Sequence, residues 1–247
     1  EDAKGARTLW MSIDMIGMAW PQTSGFRQEL SALTGVPFEA IVINFSHTHS
    51  GPMSGFDGYA TTKQKPAELQ AYEDDLISRC MKMTLDAVDR MREVRITVCR
   101  GTSEIGINRR LRTPDGKMGM GPNPDGHLNR DLWVLDVEAV SDEEQSVTGG
   151  DRCVLFNYGC HPVMVYGFAW DGISADWPGV CRDRLREQLG SGTHTQFIQG
   201  TAGNVRPRRL ADFDSNTFRT STPEDVTATG NEIADDVLTA LSESREQ

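Results

Sequence analysis

The sequence lacks any apolar run able to span a membrane. Its most apolar stretch, Cys153–Trp170, is interrupted by Asn157, His161, Pro162 and several glycines, whereas a spanning helix needs about 20 predominantly apolar residues. Basic residues are outnumbered, 25 against 36 acidic ones, for a formal charge of −11. A nucleic-acid partner is therefore excluded, because binding one requires a cationic face that displaces counterions from phosphates. The local basic cluster Arg206, Arg208 and Arg209 is too short to track a phosphate backbone, yet it suffices to meet one anionic head group. The five cysteines (Cys80, Cys99, Cys153, Cys160, Cys181) include no CxxC pair, which argues against both a disulfide framework and a thiolate zinc site. Internal repeats, low-complexity tracts and linkers are also missing, so residues 1–247 read as a single domain. Hydrophobic residues at 38 %, with 24 Gly and 11 Pro, fit a folded, loop-rich chain.

Strand-like and helix-like segments alternate along the chain. Leu9–Met15 and Ala40–Phe45 read as strands, the second β-branched and apolar enough to be buried on both faces. A helix between them is capped by Thr23 or Ser24 and stops at Gly35. A Gly-rich loop follows over Gly51–Gly58, then a long helix from Pro66 to about Met91 and a strand at Val94–Cys99. Residues 106–130 carry Gly, Pro and Asn clusters and read as a long functional loop. Strands at Leu132–Val140 and Cys153–Tyr158 flank a polar turn at Ser141–Asp151. A helix at Trp177–Leu189, a strand at Gln196–Ile198 and a helix at Pro223–Leu241 complete the chain. The pattern predicts an α/β fold with a layered, mixed β-sheet flanked by helices.

Four segments carry possible chemistry. At the end of the Ala40 strand stand His47 and His49, separated by one residue. In an extended chain they point to one side, outside the carboxyl end of a strand, where α/β sheets place ligands. The alternative is two ordinary surface histidines. His161, before Pro162, closes the Cys153 strand; it reads either as a core histidine or as a third imidazole at a shared metal, and nitrogen ligands suit zinc. Ser174 or Asp176 caps the next helix, with Asp176 also able to orient a ligand histidine. The loop Gln199–Arg208 is punctuated by glycines that permit close ligand approach, or it is a plain turn. HxH also ends an early strand in amidohydrolase-type barrels, but those need eight strand–helix units, more than this chain supplies.

In this order the segments resemble the neutral/alkaline, non-lysosomal ceramidases and their bacterial relatives. The resemblance rests on His-Thr-His-Ser-Gly-Pro (His47–Pro52), Ile-Asn-Arg (Ile107–Arg109), Cys-His-Pro around His161, Ser-Ala-Asp-Trp-Pro-Gly (Ser174–Gly179) and Gln-Gly-Thr-Ala-Gly-Asn-Val-Arg-Pro (Gln199–Pro207). It implies a ceramidase-like fold and a zinc-dependent hydrolase of an N-acyl amide in a small-molecule or lipid substrate. It also implies His47 and His161 as zinc ligands, and His49 and Arg109 as catalytic groups beside the metal. Asp176, Gly203, Asn204 and Arg206 are implied behind the ligands or against the substrate, and a secreted or periplasmic setting is suggested.

Two departures stand out. In ceramidases the loop reads Gly-Asp-Val-Ser-Pro-Asn, whereas here Asn204 replaces the Asp and Arg206 the catalytic Ser, so any step through that serine cannot operate. The substitution also places a cation where an anionic substrate is better served than neutral ceramide. The family draws a further Glu and Tyr ligand from well downstream of this loop and has an earlier opening strand. The chain is therefore expected to be a catalytic domain incomplete at both ends. A catalytically impaired homologue that binds a lipid or anion without turnover is the alternative.

Overall fold

A computed structural model describes residues 1–52, 66–140 and 152–245. The loop expected at Gly51–Gly58 beyond Pro52 and the turn at Ser141–Asp151 lie outside the described residues. Among those described, no helix is long and apolar enough to cross a membrane.

The elements follow in the order β1 (Leu9–Ile13), α1 (Trp20–Thr34), β2 (Ile41–Phe45), α2 (Ala67–Asp89), β3 (Val94–Thr102), β4 (Gly106–Arg112) and β5 (Met118–Asn123). After them come β6 (Asp131–Ala139), β7 (Arg152–Tyr158), α3 (Asp176–Leu189), β8 (His194–Gln199), β9 (Val205–Pro207), β10 (Ala211–Asp212), β11 (Thr217–Phe218) and α4 (Pro223–Arg245). A four-stranded sheet has the order β3-β6-β7-β8. Its first three strands are antiparallel and β8 runs parallel to β7, so the expected mixed sheet with flanking helices is present. β1 and β2 form a parallel pair, and β5-β4-β9 an antiparallel three-stranded sheet.

The large core lies between the four-stranded sheet and helices α3 and α4. Phe156, Tyr158, Trp177 and Phe197 are fully buried there, with the Trp177 and Phe197 rings 5.0 Å apart. Gly230 lets the two helices cross closely, since a Cβ there would meet Val180 at 2.5 Å; that approach offsets the roughly 1 kcal/mol a mid-helix glycine costs. α4 opens with reciprocal capping: the Thr222 N–H donates to Asp225 Oδ2 (2.9 Å) and the Asp225 N–H to Thr222 Oγ1 (3.3 Å). A smaller core under β1 and β2 gathers Met11, Phe26, Leu30, Val36, Ile41 and Cys80 against α1 and α2.

The two cores meet at a polar seam. The Asn44 carboxamide donates to the Phe197 carbonyl (3.0 Å) and accepts from the Gln199 N–H (3.0 Å). Ser12 Oγ donates to the same Phe197 carbonyl (2.8 Å), and Arg182 pairs with Asp14 at 2.6 Å. Side chains of the β1–β2 pair thus do at β8 what a neighbouring backbone does within a sheet.

Three expectations need correction. β2 is not buried on both faces: Ile41 is 1 % exposed but Val42 is 40 % exposed, because α1 and α2 cover only the Ile41–Ile43 face. Residues 106–130 are not one loop. β4 and β5 form a hairpin turned at Pro114-Asp115-Gly116, where Gly116 adopts φ +83° and its N–H donates to the Thr113 carbonyl (2.8 Å). Helix α1 starts at Trp20 with Pro21 in its first turn, and the Thr23 hydroxyl donates back to Ala19 O (3.0 Å) instead of capping. Its end is as expected, with Gly35 left-handed at φ 71°.

Candidate metal centre

Two strand ends from opposite sides of the seam supply the histidines. Beyond β2 the chain stays paired to the segment after β1: the Ser46 N–H donates to Ile13 O (3.0 Å) and the His47 N–H to Met15 O (2.9 Å). His47 then adopts φ 63°, the left-handed region, a strained conformation that side chains tolerate mainly at functional sites. The segment is therefore not extended, and the two imidazoles converge through a turn rather than through strand alternation. Gly51 completes that turn, since a Cβ there would stand 2.8 Å from the Asp14 carbonyl. His161 follows β7, its N–H donating to Val205 O (3.3 Å), while the His49 N–H reaches Pro162 O (3.1 Å).

The ring centroids of His47 and His161 are 5.0 Å apart, those of His47 and His49 5.1 Å, and those of His49 and His161 5.7 Å. One nitrogen from each ring lies within 4.8 Å of the others, an arrangement able to hold a metal ion. Nδ1 of His47 sits 2.7 Å from Ile16 O, and Nδ1 of His161 is 2.8 Å from Ala202 O and 3.0 Å from Val205 O. A carbonyl only accepts, so both Nδ1 atoms carry a proton, which leaves Nε2 as the atom each ring can offer to an ion. Such backbone acceptors commonly orient metal-bound imidazoles. Burial, then the charges of Arg109 and His47, hold His161 down to about 4. Burial, then His47, Arg109 and Arg206, do the same for His49. Both rings are neutral at pH 7, the form that ligates.

The remaining expected residues form two groups. Arg109 on β4 donates twice to the Gly203 carbonyl (2.9 and 3.2 Å), and its N–H donates to Asn204 O (2.8 Å). Asn204 Oδ1 accepts from Arg110 Nε at 2.9 Å. Arg206 donates to the Tyr166 hydroxyl (3.1 Å) and lies over the Phe218 ring, 5.0 Å from its centroid. Gly203 and Asn204 thus act as acceptors that aim arginines. Asp176 belongs elsewhere: its carboxylate accepts from the N–H groups of Met164 (2.7 Å), Val165 (2.8 Å) and Trp177 (2.8 Å). It fixes the chain just past His161 without bonding to an imidazole.

Two further residues were not singled out from sequence. Gln199 Nε2 donates to Ser46 O and to Cys160 O, both at 3.1 Å, and so clamps together the residues preceding His47 and His161. Tyr166 stacks 5.9 Å from His49. Neither had a local signal beyond Gln199's place in the Gln-Gly-Thr-Ala-Gly run.

No protein-family model and no curated protein matches the chain. Solved structures do. One described as a ceramidase complexed with C2 aligns at TM-score 0.69 and 18 % identity, covering 99 % of this chain and 37 % of that one. The neutral ceramidase of Pseudomonas aeruginosa aligns at TM-score 0.71 and 19 % identity, covering 99 % and 38 %. The chain has the ceramidase fold. It spans a little over a third of the length of those proteins.

Proposed function

We propose that the chain carries the centre of a zinc-dependent hydrolase that cleaves an N-acyl amide bond. The observation behind this reading is the convergence of three imidazoles, two with Nδ1 tied to backbone carbonyls. His47 and His161 would hold the ion. When bound, zinc supplies a Lewis acid that polarises a carbonyl and brings the pKa of water to about 7.

The chain's own groups do the rest. His49 has no hydrogen bond to its ring among the described residues and keeps one edge exposed, so it is free to take a proton from the attacking water. Water oxygen adds to the amide carbon, the C–N bond breaks, and the proton passes to the leaving nitrogen. Arg109, held on Gly203 O with one Nη left over, donates to the oxyanion that develops. Arg206 occupies the place of the family's serine, so no acyl transfer to a side chain is invoked. That arginine also favours the second reading, a scaffold that binds an anionic or lipid ligand without turnover.

The test is release of fatty acid from N-acylsphingosine and from N-dodecanoylethanolamine, measured before chelation, after chelation and after zinc is restored. Release that stops with chelator and returns with zinc is expected. No release from these amides or from an anionic counterpart such as N-dodecanoylglycine, or release indifferent to chelator, contradicts the hydrolase.

A further inference from the structure

Most arginines elsewhere among the described residues are paired with carboxylates. Arg152 pairs with Asp136 at 2.7 Å, Arg184 with Asp235 at 2.7 Å, and Arg219 with Asp225 at 2.6 Å. At the mouth of the histidine cluster the pattern reverses. Arg109, Arg110 and Arg206 have no carboxylate within 4.0 Å among the described residues, although the chain carries an excess of acidic groups. Every acceptor they use is uncharged: the Gly203 carbonyl, the Asn204 carboxamide, the Tyr166 hydroxyl and the Met120 thioether. These bonds fix the direction of each guanidinium and leave its charge uncompensated. Arg206 Nε is buried without a hydrogen-bond partner among the described residues.

The three charges are also close enough to repel. Burial, then the charges of Arg110 and Arg206, lower the affinity of Arg109 for its proton. Antiparallel pairing of β4 with β9 enforces the crowding, since Arg206 lies opposite Ile107 and the Arg109 N–H reaches Asn204 O. Like charges held together by a fold disfavour it until an anion arrives. Guanidinium forks suit carboxylate and phosphate oxygens, which accept paired N–H bonds.

We infer that this cluster is an oxyanion-binding subsite, and that the substrate is an N-acyl compound bearing a carboxylate or phosphate a few bonds from the scissile amide. The inference rests on the hydrolase reading for the amide and on the arginines alone for the anion. Spacing sets the few bonds: Arg206 bonds Tyr166, whose ring lies 5.9 Å from His49. One aromatic ring therefore separates anion from imidazoles, and both belong to a single head group. Neutral ceramide offers this subsite only hydroxyls.

Three ligands sharing one acyl chain test it: N-dodecanoylglycine, O-phospho-N-dodecanoylethanolamine and neutral N-dodecanoylethanolamine. Binding to the metal-free chain is measured by calorimetry below their micelle concentrations, and kcat/KM is measured on the zinc-loaded chain. At least one anionic ligand is expected to bind tenfold or more tighter than the neutral one, with an advantage that shrinks as salt rises. The tighter anion identifies the source as carboxylate or phosphate. Arg206→Gln is expected to cut the advantage below threefold, Arg206→Lys to retain part of it, and exposed Arg110→Gln to reduce it without unfolding the chain. Equal binding of all three ligands, or a preference unchanged in both Arg206→Gln and Arg110→Gln, overturns the inference. Anion preference without any hydrolysis leaves this subsite standing and removes the hydrolase. Hydrolysis without anion preference does the reverse.

Discussion

The two sides of the seam are built differently. Among the described residues, the core on the side that carries His161 gathers twenty-two buried apolar residues, whereas the core on the side that carries His47 gathers six. Between them lie polar bonds from Asn44, Ser12 and Gln199 and the ion pair Arg182–Asp14. Apolar burial is non-directional and supplies most of the stability, while hydrogen bonds fix distance and angle. A site assembled from both sides needs the second kind of interaction at the joint, and that is where the polar side chains concentrate.

The contrast predicts a graded set of effects. Trp177→Ala empties the centre of the large core and removes the indole that donates to His161 O (3.3 Å). Urea denaturation should show a loss of about 3–5 kcal/mol, and a loss below about 1 kcal/mol would mean that the large core is not the main support. Asn44→Ala strands the Gln199 N–H and takes one of two side-chain donors from the Phe197 carbonyl, at a cost of about 1–3 kcal/mol. Hydrogen exchange should then accelerate in β1 and β2 before β6 and β7; uniform acceleration would deny that the seam is a separate joint.

Gln199→Ala should weaken zinc binding by about tenfold, the low end for groups behind metal ligands, with a smaller change in melting temperature than Asn44→Ala. Unchanged affinity would show that the clamp between Ser46 and Cys160 does not position the ligands. The last effect is on pH. His161 and His49 titrate near 4 in the folded chain against an ordinary 6.5, so between those values the unfolded chain takes up protons that the folded one refuses. The contribution of these two rings to the stability of the metal-free protein should therefore fall as pH drops from about 6.5 to about 4 and level off below, where depressed carboxylates such as Asp225 take over. His161→Gln should flatten that slope, and an unaltered slope would place the proton uptake elsewhere.

Much of this was legible in the residues themselves. The β-branched run at Ala40–Phe45, the Gly35 stop and the helix expected at Pro223–Leu241 each encode a local structure that forms for local reasons. The ordered His, Arg and Gly segments marked the strand ends that the fold brings together. What escaped was of two kinds. The β4–β5 hairpin is written in Arg, Gly and Met, residues without strong strand preference, and its turn residues read equally well as loop. The roles of Asn44, Gln199 and Tyr166 depend on partners on other strands or in distant loops, which no spacing along the chain encodes. His47 misled in a third way, because its left-handed backbone replaces the extended geometry from which the His47–His49 convergence was reasoned.

On the reading proposed above, imidazoles from the two sides of the seam share one ion. Calorimetric titration of zinc into the intact chain, His47→Ala and His161→Ala tests it most directly. One site of sub-micromolar affinity is expected in the intact chain, and loss of that site in each variant. An intact chain that takes up no zinc, or two variants that bind it as tightly as the parent, would contradict it.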